Sequence, residues 1–298
     1  MALTIAQFGC SGGASTSPPV TTLSSPPPPL LVVGDGFDAL FGYRLGAAQP
    51  TFAQKLAVPN ATYLAGGRGT VAALGGSAIN VVFAQSFLGG ATYGARIPYG
   101  RSGVSDTSGI ALDPSGNVYA TNVFGYAIFA GVQGTTQPFA SVRVIPQQEL
   151  GLVSFGGLAV DPKGDVAVGE VYHNFSETLT WLSEFSPLSR GARQLGTFAG
   201  IAGSLPFAFD DAGRLFIGNG ETLVALALTF PSGVQTLAST NFPLGPASVA
   251  VDSNDNAFVL SGLPSKERIL AYHFGASGLQ PSWSIAAPPG AQTLAVSR

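Results

Sequence analysis

One pattern is written four times in this chain, and it restricts the fold more than any other feature. Gly109–Asn122, Gly157–Glu170, Pro206–Asn219 and Ser248–Ser261 align without a gap. In each copy, apolar residues at the second and fourth positions flank an alanine, the period-2 alternation of a short strand. Asp-Pro-Ser-Gly, Asp-Pro-Lys-Gly, Asp-Asp-Ala-Gly or Asp-Ser-Asn-Asp follows. In such turns Asp accepts hydrogen bonds from the backbone, Pro presets φ and Gly takes left-handed positions. A second strand begins at once, so each copy predicts a β-hairpin.

The alanine register (Ala111, Ala159, Ala208, Ala250) extends the series. Thr70–Leu74 places Ala72 at the same position, ahead of a second apolar strand around residues 80–84, and Thr293–Ser297 repeats it with Ala295. Starts at Thr70, Gly109, Gly157, Pro206, Ser248 and Thr293 recur every 40–50 residues or so, the length of a four-stranded propeller blade. Two further strand-like segments follow each hairpin, for example Thr178–Phe185 and Arg193–Phe198, or Thr222–Thr229 and Val234–Ala238. The amino-terminal stretch supplies the missing parts of the pattern. Leu30–Asp35 reads as a second strand, with Ala39–Leu45 and Phe52–Val58 as third and fourth, and no first strand precedes it. Pro26 to Pro29 stand there instead and cannot donate to a sheet ladder. The unmatched first strand at Thr293–Ser297 completes that blade and removes the last open edge. The expectation is an all-β, six-bladed β-propeller over 30–298, closed by its carboxyl-terminal strand.

Residues 1–29 lie outside that fold. An apolar stretch ends at Cys10, the lone cysteine, followed by a Ser/Gly/Pro-rich tether. This is similar to a bacterial lipoprotein junction with Cys10 as the lipidated residue, set against a disordered tail with an incidental cysteine. With one cysteine there is no intramolecular disulfide. Charged residues make up only 10% of the chain, against a usual quarter, and 40 residues are glycine. A turn-rich, weakly charged β-protein of this kind suits a periplasmic or cell-surface setting. Net charge is −3 without a Lys/Arg cluster, which argues against nucleic acid, and no 18-residue apolar run predicts a transmembrane segment.

The hairpin repeat resembles the NHL-repeat propellers and their relatives, the gluconolactonase and virginiamycin B lyase families. The resemblance spans about residues 30–298 and implies blade structure. For a gluconolactonase it would also imply a divalent-metal site, but no Glu-Gly-Pro segment opens the first blade.

Two rings of polar residues are candidates for chemistry. Asp113, Asp161, Asp210 and Asp252 fall in the hairpin turns, where Asp serves as an ordinary turn acceptor. The second ring, at the ends of the second strands, opens on the other face beside the connections between blades. It comprises Asp35, Gln85, Asn122, Glu170, Asn219 and Ser261. Oxygen donors converging there would hold a hard cation or a polar ligand; otherwise they end their strands by bonding the next loop. His173, three residues past Glu170, could reach the same mouth and titrates near neutrality. Two functions follow. The first is a monomeric, non-catalytic, extracytoplasmic scaffold that needs no cofactor. It would bind a protein, glycan or small polar ligand through Asp35, Asn122, Glu170 and Asn219. The alternative is a lactonase or lyase dependent on Ca or Mn held by Asp35, Glu170 and Asn219, with Glu170 and His173 catalytic.

Overall fold

The computed structural model describes residues 29–297 apart from 47–48, 60, 68, 76–77, 84–86, 89–94, 99–108, 115, 123–124, 130–137, 143–151, 174–177, 186–193, 200–205 and 263–265. The chain is all-β and propeller-like. Among the described residues its strands form four-stranded antiparallel sheets, all but the first drawn from consecutive sequence. β1 (Leu30–Gly34), β2 (Ala39–Arg44) and β3 (Thr51–Ala57) open the first. β4 (Tyr63–Gly67), β5 (Thr70–Gly75), β6 (Ala78–Phe83) and β7 (Ala95–Pro98) make the second. The third holds β8 (Gly109–Leu112), β9 (Val118–Asn122), β10 (Gly125–Phe129) and β11 (Pro138–Val142). The fourth holds β12 (Leu152–Val160), β13 (Val166–His173), β14 (Thr178–Phe185) and β15 (Gln194–Ala199). The fifth holds β16 (Phe207–Phe209), β17 (Leu215–Asn219), β18 (Thr222–Thr229) and β19 (Gly233–Asn241). The sixth holds β20 (Pro246–Val251), β21 (Asn256–Ser261), β22 (Arg268–Gly275) and β23 (Gly278–Ala286).

The last strand, β24 (Thr293–Ser297), joins the first sheet. It pairs antiparallel with β1, Leu31 opposite Val296 and Val33 opposite Leu294, so the two ends of the fold share one ladder. The first strands of the sheets touch in succession, β24 to β4, β8, β12, β16, β20 and back to β24.

The repeated alanine explains how these strands come so close. Position three of one sheet meets positions two and four of the next. Ala65 packs with Ile110 and Leu112, Ala159 with Phe207 and Phe209, and Ala250 with Leu294 and Val296. Small against large fills each gap at interior density. In the second sheet even position four is small: a Cβ on Gly66 would stand 1.7 Å from the Val296 carbonyl oxygen. Only glycine fits there.

The second sheet also corrects the sequence-based register. Thr70–Leu74 is its second strand, paired on one side with Tyr63–Gly67 and on the other with β6. The inner alanine is therefore Ala65, not Ala72. Here no Asp turn joins strands one and two: Gly67 pairs with Thr70 across a short connection in which Gly69 holds φ at 67°, so the usual signal between them is missing. In the third sheet β10 starts one residue, and β11 three residues, before the strands expected from sequence at Tyr126–Ala130 and Ser141–Ile145.

Candidate functional site

The two ends of the hairpins define two rims. At the first lie the Asp turns, and their chemistry is closed on itself. Asp161 Oδ1 accepts from the N–H groups of Lys163 and Asp165, both at 2.8 Å. Asp252 repeats the arrangement with Asn254 and Asn256, at 2.8 and 2.9 Å, and Asp210 with Ala212 and Arg214, at 3.0 and 2.8 Å. In Asp113 the Asn117 N–H and side-chain amide fill the two oxygens. All four carboxylates are buried. The Arg214 guanidinium also pairs with Asp210 and with Asp255 of the next sheet, and lies over the Phe274 ring. It clamps the fifth sheet to the sixth and was not anticipated from sequence. Asp161 shows the cost of this placement: burial raises its pKa, against the N–H groups of Asp165, Lys163 and Gly164 and the Lys163 charge.

The inner strands enclose a cavity of about 390 Å³ at the centre. Ala65, Ala111, Ala159, Ala208, Ala250 and Ala295 all line it, and Asp113, Asp161 and Asp211 border it toward the Asp-turn rim. The alanine that lets neighbouring sheets approach thus also leaves the axis open.

At the opposite rim stand the positions singled out for a ligand. Asp35 directly follows β1 and turns the chain into β2. Its Oδ1 accepts from Phe37, Asp38 and Ala39 at 2.9, 3.0 and 3.0 Å. Burial pushes the Asp35 pKa up, but those three N–H groups, helped by the Lys55 charge, outweigh it and hold the carboxyl below its ordinary value. Asn219 ends β17 and is exposed. Ser261 ends β21, buried, its hydroxyl 2.6 and 2.7 Å from the Pro243 and Leu244 carbonyls, to one of which it donates. Asn122 ends β9, as expected from sequence. Glu170 does not end its strand. β13 runs on to His173, with Glu170 opposite Phe155 and Trp181, and His173 opposite Leu152 and Thr178. His173 therefore belongs to a strand rather than a loop. Gln85 and Cys10 lie outside the described residues. No group of three or more His, Cys, Asp or Glu side chains arranged for a metal occurs among the described residues.

Two residues of this rim have no counterpart in the sequence reading. Phe37, at the tip of the β1–β2 turn, is 67% exposed. Leu244, in the link from β19 to β20, is 41% exposed and holds φ at 71°. Positive φ is uncommon outside glycine, and for a side chain such as leucine it is strained.

Solved structures share this architecture. A protein from Lactobacillus plantarum superposes with a TM-score of 0.61 at 13% identity, over 91% of this chain and 99% of that one. A functionally unknown protein from Desulfotomaculum acetoxidans gives 0.54 at 15%, over 87% and 80%. A 6-phosphogluconolactonase-like protein from Bacteroides uniformis gives 0.56 at 14%, over 89% and 83%. At such identities the likeness establishes the fold alone. No family model and no curated protein matches the sequence. No helix among the described residues is long and apolar enough to cross a membrane.

Proposed function

We propose that the chain is a six-bladed propeller of NHL-repeat type, sealed by β24, which acts outside the cytoplasm as a non-catalytic scaffold. It engages a protein partner through the rim that carries Asp35, Asn122 and Asn219, with Glu170 three residues inside the end of β13, and Cys10 is the site of a lipid anchor. One observation carries this reading: Phe37 and Leu244 present apolar side chains to solvent on that rim, and Leu244 does so from a strained backbone. Neither side chain gains burial from folding, whereas a partner that covers both supplies it. Asp35 supports the same view, because its Oδ1 already serves three backbone donors of its own turn. The low charge of the chain and the tether after Cys10 support the extracytoplasmic setting.

A photo-crosslinking residue placed in turn at Phe37, Leu244 and Ala212 tests the reading in cells. Ala212 is exposed on the Asp-turn rim and serves as control. Adducts at the first two positions and not the third are expected. Adducts equally frequent at all three, or at none, would overturn the proposal. Glycan adducts in place of protein would keep the rim and change the partner. The competing metal-dependent lactonase or lyase predicts instead that Ca²⁺ or Mn²⁺ raises the melting temperature, and that Glu170→Gln abolishes the rise.

A further inference from the structure

The outer strand of each sheet leaves a row of backbone N–H and C=O groups unpaired, and proteins blunt such edges with charge, proline or shortness. Among the described residues, five of the six outer strands carry at least one of these devices. β3 has Lys55, β7 has Arg96 and Pro98, β11 starts on Pro138 and β23 contains Pro281. β15 is uncharged but only six residues long. β19 has none of them. It runs for nine residues, Gly233–Asn241, without charge or proline, and sits inside a longer stretch, 222–251, that contains no Asp, Glu, Lys, Arg or His.

The strand also projects. β18 pairs with β17 only over Thr222–Leu226. Beyond that point Ala227–Thr229 pair with Gly233–Gln235 alone, forming a two-stranded extension. Every residue from Gly233 to Leu237 is exposed. Phe230, Val234 and Leu237 are among the large apolar side chains most open to solvent, at 41%, 41% and 38%. The ladder shifts register at Leu237, which marks the end of the straight segment.

We propose that Gly233–Leu237 is an interface with a second copy of this chain, the two segments pairing antiparallel about a two-fold axis at Gln235. An isologous contact places every group near the axis against its own copy, so any charge there would meet a like charge. β23 is as long and also uncharged, but Pro281 interrupts its row of donors; among the described outer strands of that length, only β19 offers an uncharged edge without proline. Pairing about Gln235 sets Val234 opposite Thr236 of the second copy, a combination of β-branched residues that strands favour, and Gly233, next to the tip that carries Phe230, opposite Leu237 of the second copy. It satisfies the free edge and covers apolar surface in one step.

Sedimentation of the full chain across a wide concentration range tests the interface. A reversible monomer–dimer equilibrium is expected, weakened about tenfold or more by Gln235→Lys, since facing charges oppose association. Gln280→Lys, an exposed position on β23, should leave the equilibrium unchanged, and both variants should keep the parental melting temperature. In a Cys10→Ser background, Gln235→Cys should form a disulfide-linked dimer under mild oxidation. A parent that stays monomeric at millimolar concentration overturns the proposal. So does a dimer insensitive to Gln235→Lys, or one weakened equally by Gln280→Lys.

Discussion

The Asp-turn rim and the loop rim both begin with an aspartate that accepts backbone N–H bonds, yet they differ in what surrounds it. Asp210 and Asp252 are buried, and a side chain four residues on, Arg214 or Asn256, occupies the second carboxylate oxygen. The same geometry recurs in the third to sixth sheets because one task, closing the first hairpin at the crowded axis, is met in each by the same residue. Asp35 makes a turn with three donors but is only half-buried, and the next large residue, Phe37, points into water. The loop rim has no common task, so its residues change with every sheet. Repetition therefore marks where folding dictates the residue, and variation marks where folding leaves it free.

That contrast presupposes a closed circle of sheets, and the strongest way to break it is to open the circle. Deleting Thr293–Arg298 removes the inner strand of the first sheet and strips the partner from β1. It also uncovers Ala250 on one side and Leu64 on the other. Loss of the cooperative melt and aggregation on size exclusion are expected. A truncated chain that elutes and melts like the parent would remove the basis for two distinct rims.

Next in size is the difference between the rims themselves. Asp210→Ala removes a fully buried acceptor from the N–H groups of Ala212 and Arg214 and leaves the Arg214 clamp with one carboxylate. A loss of about 2–4 kcal/mol follows from such unmet groups. Asp35→Ala, where water replaces the acceptor, should cost about 1 kcal/mol. Urea unfolding measures both, and equal losses would erase the distinction. Ala159→Leu sharpens the packing half of the argument. Phe207 and Phe209 of the next sheet already fill the space beside this alanine, so overpacking by about 1–3 kcal/mol is expected. A melting temperature left unchanged would mean the gap is not set by the alanine.

These features were unevenly legible in the sequence. The alanine register and the Asp turns identified the inner hairpins because both answer to local rules of strand and turn, and the pairing of β24 with β1 followed from counting strands. The second sheet misled, since no Asp turn separates its first two strands and the alanines at 65 and 72 both fit the pattern. The length of β13 was invisible as well: nothing in Glu170-Val171-Tyr172-His173 signals a stop or a continuation, and the long β12 and β14 beside it decide the matter. Phe37 and Leu244 could not be singled out, because an apolar residue in a loop is exposed or covered according to tertiary neighbours alone.

The finest test of the two rims is the sign of their pH dependence. Asp35 is held below its ordinary value of 3.8 in the folded chain. Its contribution to stability is present above the unfolded value and is lost as pH falls through the folded one. Asp161 is raised above 3.8, chiefly by burial. Folding there favours the protonated acid, so its contribution is full below 3.8 and declines as pH rises through the folded pKa. Stability of the parent relative to Asp35→Asn should therefore increase with pH in the acid range. Relative to Asp161→Asn it should decrease and then level off. Denaturant unfolding at a series of acid pH values reads both slopes, and the same sign for the two variants would show that the turn rim and the loop rim hold their carboxylates alike.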